Sequence, residues 1–160
     1  MQELVGIAEQ IAAKLMQRKQ TIAVAESSTG GLISASLLAV PGASAYFLGG
    51  AVVYTKGARR LLMDISDEAM KGLRPSSEPY ARLLADQVRQ RFSADWGLSE
   101  TGATGPTGNR YGDAAGHSCI GISGGEPAAM TIETGSSERI GNMHEFSRIA
   151  LNYLLQHLSR

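Results

Sequence analysis

The chain has 160 residues, 43% of them hydrophobic, with 15 Lys plus Arg against 15 Asp plus Glu. That length fits one domain over residues 1–160 with a real core, and the charge balance gives no basic excess for nucleic acid and no acidic disordered tail. Cys119 is alone and so forms no internal disulfide, no 18-residue apolar run is present to cross a membrane, and the N-terminus lacks a signal peptide's basic flank, so the expected location is cytoplasmic.

Leu4, Ile7, Ala8, Ile11, Ala12 and Leu15 recur at three- and four-residue spacing, which predicts an amphipathic helix over residues 2–18. Thr21 to Ala25 is short, apolar and β-branched, the pattern of a buried strand. Leu32 to Val40 reads as a helix stopped by Pro41-Gly42, and Ala51 to Tyr54 as the second strand. Ser77-Glu78-Pro79 has the signature of a helix start, with Ser77 as the cap and Tyr80, Leu84, Val88 and Phe92 on one face behind it. A third strand is expected at Trp96 to Ser99, then a hairpin of Ser118 to Ser123 and Ala129 to Thr134 turned by Gly124-Gly125-Glu126-Pro127. Met143, Phe146, Ile149, Ala150, Tyr153, Leu154 and Leu158 mark a closing helix. Helices alternating with strands, then a hairpin, predict an α/β fold with a mixed, mostly parallel sheet covered by helices on both faces.

Ligands of such sheets gather beyond the carboxyl ends of the strands. Two polar, glycine-rich segments are expected there: Glu26-Ser27-Ser28-Thr29-Gly30-Gly31 after the first strand, and Glu100-Thr101-Gly102-Ala103-Thr104-Gly105-Pro106-Thr107-Gly108 after the third. If those strands run parallel, both segments emerge on one edge and offer backbone donors to an anion or a developing oxyanion. Neither is a P-loop, because Gly108 is followed by Asn109-Arg110 rather than lysine and a hydroxyl residue, and neither has the Gly-x-Gly-x-x-Gly spacing of a dinucleotide fingerprint. The three histidines show no ligand spacing and Cys119 has no partner, so no metal and no cofactor are expected. Cys119 and Trp96 read as packing residues. Apolar helices without a charge excess suggest a homo-oligomer.

The run Ala25-Glu26-Ser27-Ser28-Thr29-Gly30-Gly31-Leu32-Ile33, then Gly42-Ala43-Ser44-Ala45-Tyr46-Phe47, Gly50-Ala51-Val52-Val53-Tyr54-Thr55 and Thr101-Gly102-Ala103-Thr104-Gly105-Pro106, is similar in order and spacing to the CinA C-terminal domain family. The resemblance covers nearly the whole chain and is to the stand-alone form. It implies a three-layer α/β/α sandwich around a five-stranded sheet, and hydrolysis of the amide of nicotinamide mononucleotide to nicotinate mononucleotide and ammonia. It further implies Ser27 as nucleophile, from the family's Glu-Ser-x-Thr-Gly-Gly motif, Tyr54 as its strand-end tyrosine, and Thr104-Gly105 as its second loop. Glu26, Ser28, Thr29, Gly30 and Gly31 would join Thr104 and Gly105 in binding a small nucleotide-like ligand, with loop amides as the oxyanion hole.

The chain departs from that pattern at the base. The family reads Tyr-x-Asn-x-x-Lys after the second strand, whereas this chain reads Tyr54-Thr55-Lys56-Gly57-Ala58-Arg59, which puts an arginine in the lysine's place. Arginine keeps its proton and cannot be a general base. Lys56, which would share a helical face with Arg59, and His117, entering the fourth strand, are the possible substitutes; His144 and His157 read as ordinary side chains. Toward the C-terminus the family shows Gly-Asp-Arg followed by another arginine, aligned here with Gly141-Asn142-Met143 and Ser147-Arg148. Ser28 stands for the usual cysteine. Two readings result: a deamidase with an altered base, or a silent relative that binds a nucleotide-like or phosphorylated ligand as a regulatory module. Both expect residues 26–31 and 101–108 to converge on one cleft walled by Tyr54 and Arg59.

Overall fold

The computed structural model describes residues 1–160. Five strands, β1 (Ile22–Glu26), β2 (Phe47–Val52), β3 (Trp96–Ala103), β4 (His117–Ser123) and β5 (Ala128–Glu133), form one sheet in the order β2-β1-β3-β4-β5. β1 is parallel to both β2 and β3, while β4 and β5 are added antiparallel. The sheet is mixed, with a parallel core, and helices cover both faces. β1 is buried along its whole length, as its unbroken apolar run requires.

On one face α1 (Gln2–Arg18), α2 (Leu32–Leu38) and α5 (Arg139–Leu158) pack against Ile22, Val24, Leu98, Ile120 and Ile122. Leu4, Ala8, Ile11, Ala12 and Leu15 form the buried stripe of α1, at the spacing the sequence predicts. On the other face α3 (Lys56–Met63) and α4 (Glu78–Phe92) cover Ala23 and Ala25. The α4 cap is as predicted: the Ser77 hydroxyl accepts from the Tyr80 N–H at 3.4 Å, and Pro79 lies in the first turn. α4 lies so close to the sheet that a Cβ on Gly97 would stand 2.0 Å from the Ala85 carbonyl oxygen. Only glycine fits there.

Three element boundaries and one helix depart most from the sequence reading. β2 starts at Phe47 and ends at Val52, so Tyr54 follows the strand; the pair Gly49-Gly50 masks the strand's first half. β3 runs on to Ala103, which places Glu100 and Thr101 in a strand rather than a loop. α5 begins at Arg139, a turn before Met143. α3 lies where no helix was predicted; it has eight residues, only two of them buried, too few for a periodic stripe.

Candidate active-site cleft

The loop after β1 rests on two buried carboxylates. Ala25 is paired with Ser99, so the next residues, Glu26 and Glu100, stand side by side on neighbouring parallel strands. Both are fully buried. Glu26 accepts from the N–H groups of Gly31 (2.7 Å), Ile33 (3.2 Å) and Ser34 (2.9 Å) and from the hydroxyls of Thr29 (2.8 Å) and Ser34 (2.7 Å). It therefore caps the N-terminus of α2, where a negative charge is favoured. Glu100 accepts from the N–H groups of Ser27 (3.1 Å) and Thr29 (3.0 Å) and from the hydroxyls of Ser28 (2.6 Å) and Ser118 (2.8 Å). Gly30 and Gly31, at φ of 65° and 104°, let the chain turn back into α2.

This geometry corrects the sequence reading. Glu26, Ser28 and Thr29 were expected to touch a ligand, but their side chains point inward and hold the loop. The resemblance implies loop amides as the oxyanion hole, yet the N–H groups of Ser27, Thr29 and Gly31 all donate to the two glutamates. Only Ser27 of this loop faces the open space beyond.

That space is a cleft of about 710 Å³ lined by Ser27, Tyr54, Arg59, Tyr80, Thr101, Gly102 and Tyr111 among others. The expected convergence is present for these residues, although the second segment contributes Thr101 and Gly102 rather than Thr104 and Gly105, with Asn109 just beyond it. Thr55 caps α3 by accepting from the Ala58 N–H at 3.1 Å, and so aims Lys56, Arg59 and Arg60 at one acid, Asp67. The expectation that Lys56 and Arg59 share a helical face holds. Hydrogen bonding to Arg60 keeps the Asp67 carboxyl below its ordinary range, helped by the charges of Lys56 and Arg59. The Arg59 side chain is only 7% exposed and its Nε has no acceptor. Burial pushes the Tyr80 hydroxyl up to about 12, against the lowering effect of the Arg59 charge. Tyr80 therefore keeps its proton and is not a base.

His117 lies behind the cleft wall. Its Nε2 donates to the Ser76 carbonyl at 2.8 Å and its Nδ1 faces the Glu133 carboxylate. Both partners are acceptors, so both ring nitrogens carry protons and the ring is an imidazolium. Burial alone would lower its pKa; the Glu133 carboxylate, the Ser76 carbonyl and Asp113 outweigh that and raise it. The charged ring clamps Ser76, a cleft residue held at a φ of 56°, and Asp113 meanwhile takes both Arg74 Nη groups at 2.7 and 3.1 Å. With neither nitrogen free, His117 is unavailable as the base for Ser27, contrary to the sequence expectation. The clamp's contribution to stability is complete below the unfolded histidine pKa of about 6.5 and is lost as pH rises through the elevated folded value. In ¹⁵N NMR, both ring nitrogens should be protonated at pH 7, and the Ser76 region should exchange its amides faster at higher pH or in His117→Gln.

Residues 5–158 match the CinA C-terminal domain. The chain belongs to the CinA C-terminal domain family. It is 36% identical to a CinA-like protein of Sulfurihydrogenibium over 94% of this chain and 38% of the relative, and 36% identical to one of Chlorobaculum tepidum over 96% and 38%. The chain thus spans less than two-fifths of these relatives' length. Among solved structures it superposes on a competence or damage-inducible protein of Enterobacter asburiae with a TM-score of 0.90 at 26% identity, covering 97% of this chain and 98% of the other. A CinA superfamily protein of Klebsiella pneumoniae shares the fold with a TM-score of 0.91 at 22% identity, over 98% of both chains.

Within this CinA domain a guanidinium lies one helical turn before Met143, beside Tyr54. Arg139, in the first turn of α5, donates through Nη1 to the Gly105 carbonyl at 2.5 Å and through Nη2 to the Tyr54 hydroxyl at 3.4 Å. The sequence reading missed it because the start of α5 was placed at Met143. Met143 itself lies over Gly30, its methyl 3.1 Å from where a Cβ on that glycine would stand. Arg148 bonds Glu145 and lines a separate groove beside Met130 and Tyr153, away from the cleft. Thr104 is buried, its carbonyl accepting from Asn142 Nδ2 at 2.8 Å, so it fixes the second loop to α5 rather than lining the cleft.

Proposed function

We propose that this CinA-family chain binds a pyridine mononucleotide in the 710 Å³ cleft and hydrolyses its amide slowly, with Ser27 as nucleophile. The observation that carries the reading is that Ser27 opens onto the same cleft as Tyr54 and Arg59 while its backbone is anchored by Glu100. In this reading the Ser27 hydroxyl attacks the amide carbonyl, nicotinate mononucleotide forms by hydrolysis of the acyl-serine, and ammonia leaves with a proton. Arg59 supplies positive charge for the oxyanion in place of the loop amides that Glu26 and Glu100 occupy. Lys56, exposed at the cleft mouth, is the one amine among the lining residues.

The second reading, a silent relative that binds the ligand as a regulatory module, is favoured by Arg59 itself, which stands where the family lysine is expected and cannot accept the proton of Ser27. Ammonia release from nicotinamide mononucleotide separates the two. We expect a slow but measurable rate that Ser27→Ala abolishes, with ligand still raising the melting temperature of the variant by mass action. Stabilisation by ligand with a rate equal in native chain and Ser27→Ala would leave the regulatory reading.

A further inference from the structure

From Ser27 to Thr55 the chain carries no Asp, Glu, Lys, Arg or His, although 19% of the whole is charged. That run builds α2 and β2, and β2 is an outer strand of the sheet. Edge strands are ordinarily guarded by charge, by proline or by a covering element, because their unpaired backbone groups pair readily with another strand. β2 has neither charge nor proline, and its side chains Leu48 and Val52 are exposed. Its one irregularity, a register shift near Leu48, leaves Gly49 to Val52 in regular pairing. Glu26 is a β1 residue that bonds β2 there, accepting from the Val53 N–H at 2.7 Å, and by alternation Val24 does so two residues earlier. Their register partners, Val52 and Gly50, therefore turn their own N–H and C=O groups to the open edge. Both covering layers end at this edge in an exposed apolar residue. On one face a Cβ on Gly50 would stand 2.3 Å from the Ser34 Oγ, so Ser34 is on the side of α2 turned to β2, and Leu38, four residues on, continues that side exposed. On the other face the Phe92 ring, exposed at the end of α4, lies over Gly49, 2.8 Å from where a Cβ would stand.

We propose that β2 is an interface to a second copy of this chain, whose own β2 pairs antiparallel with it and joins the two five-stranded sheets into one. Two copies related by a two-fold axis normal to the sheet meet edge to edge in antiparallel fashion. The same axis keeps each face with its like, so α2 meets α2 on one side and the ends of α4 meet on the other. A two-fold contact sets each patch against itself, so a charged edge would face its own sign, whereas an edge without charge faces none. That self-compatibility selects a second copy over a charged partner. The extent also fits. Of the 29 residues from Ser27 to Thr55, nine are buried and 20 are not, so the run can supply most of the about 20–30 residues that one side of a standard interface uses. Neither Leu38 nor Val52 lines the cleft, so the interface stands apart from the proposed chemistry.

The test is sedimentation equilibrium of the full chain, with amide hydrogen exchange followed over the same concentration series. The native chain should sediment as a dimer. Its Gly50 and Val52 amides should exchange more slowly as concentration rises, while the Val53 amide, already bonded to Glu26, should not change. Val52→Pro removes an outward N–H and no bond to β1, at a place where an edge strand tolerates proline. That bond is lost once on each copy, so the dimer dissociation constant should rise at least about tenfold. Leu38→Glu sets a carboxylate into the apolar contact on each copy and should raise the constant by at least about tenfold as well. If Val52→Pro does not fold, Leu38→Glu, at an exposed helix position, and the amide series decide. A monomer at millimolar concentration or a trimer would overturn the proposal. So would a dimer whose Gly50 and Val52 amides exchange at one rate throughout the series, or one that either folded variant leaves as tight as the native.

Discussion

Arg59→Lys should release ammonia from nicotinamide mononucleotide at least tenfold faster than the native chain. General bases contribute about a hundredfold to ten-thousandfold, and an arginine at that position supplies charge without a proton acceptor. The site suits a lysine of lowered pKa: the Arg59 side chain is 7% exposed, and Lys56 and Arg60 stand beside it as like charges. Burial and neighbouring cations both favour the neutral amine; Asp67 opposes them. The gain should therefore be partial at pH 7 and grow toward pH 9, where more of the amine is free. Adding Met143→Arg should contribute little, because Arg139 already brings a guanidinium to Tyr54 and Gly105, and the new side chain would have to leave its seat over Gly30. A native chain that already turns over at ordinary rates, unchanged in Arg59→Lys and lost in Lys56→Ala, would move the base to Lys56.

The elements legible in the sequence were those whose energetics are repetitive. The stripe of α1, the all-apolar β1 and the Ser77 cap each repeat a local rule, and the structure has them within a residue or two. The two polar segments were also legible as the cleft's neighbourhood, because Ser27, Thr101 and Gly102 meet there. What the pattern could not reveal is which polar side chains turn inward. Glu26 and Glu100 look like site residues in a string of hydroxyls and glycines, but the pairing of β1 with β3 sets them side by side beneath the loop, and they take the amides that an oxyanion would need. His117 was hidden for the same reason: its partners Ser76 and Glu133 are 41 and 16 residues away in sequence. Arg139 was missed because an exposed first helical turn adds nothing to a hydrophobic stripe.

Glu100→Ala should be among the most damaging single substitutions in the chain, whereas Glu100→Gln should be nearly silent at neutral pH. The Thr29 hydroxyl lies 2.8 Å from a Glu26 oxygen and 3.1 Å from a Glu100 oxygen, and it has a single hydrogen for two acceptors. Two ionised carboxylates on neighbouring strands, both fully buried, would repel, which favours the neutral form of one of them. Glu26 takes five donors at a helix N-terminus, where a carboxylate is favoured. Burial raises Glu100, more than its hydrogen bonds from Ser28, Ser118, Thr29 and Ser27 lower it. Its Oε1 faces only serine hydroxyls, which can turn and accept a proton. A glutamine reproduces that neutral acid: its carbonyl takes the Ser27 and Thr29 N–H groups, and its amide donates to Ser28 and Ser118. Alanine leaves the Thr29 N–H and the Ser28 hydroxyl unpaired in the interior, at about 1–3 kcal/mol for each group that water cannot reach, while the Ser118 hydroxyl keeps the Thr101 carbonyl and the Ser27 N–H lies beside the open cleft. A total near 4 kcal/mol corresponds to a melting temperature lower by about 8–16 °C for a domain of this size. Because its folded pKa is raised, Glu100 stabilises most below its unfolded value of about 4.3, and that contribution is lost as pH rises through the folded value. Glu100→Gln cannot lose the proton, so thermal melts from pH 4.5 upward should show a flatter decline for it than for the native chain, with nucleophile-loop amides protected equally in both. If Glu100→Gln instead lost as much stability as Glu100→Ala, the ionised form would be the one the loop requires, and the shared proton would belong to neither glutamate.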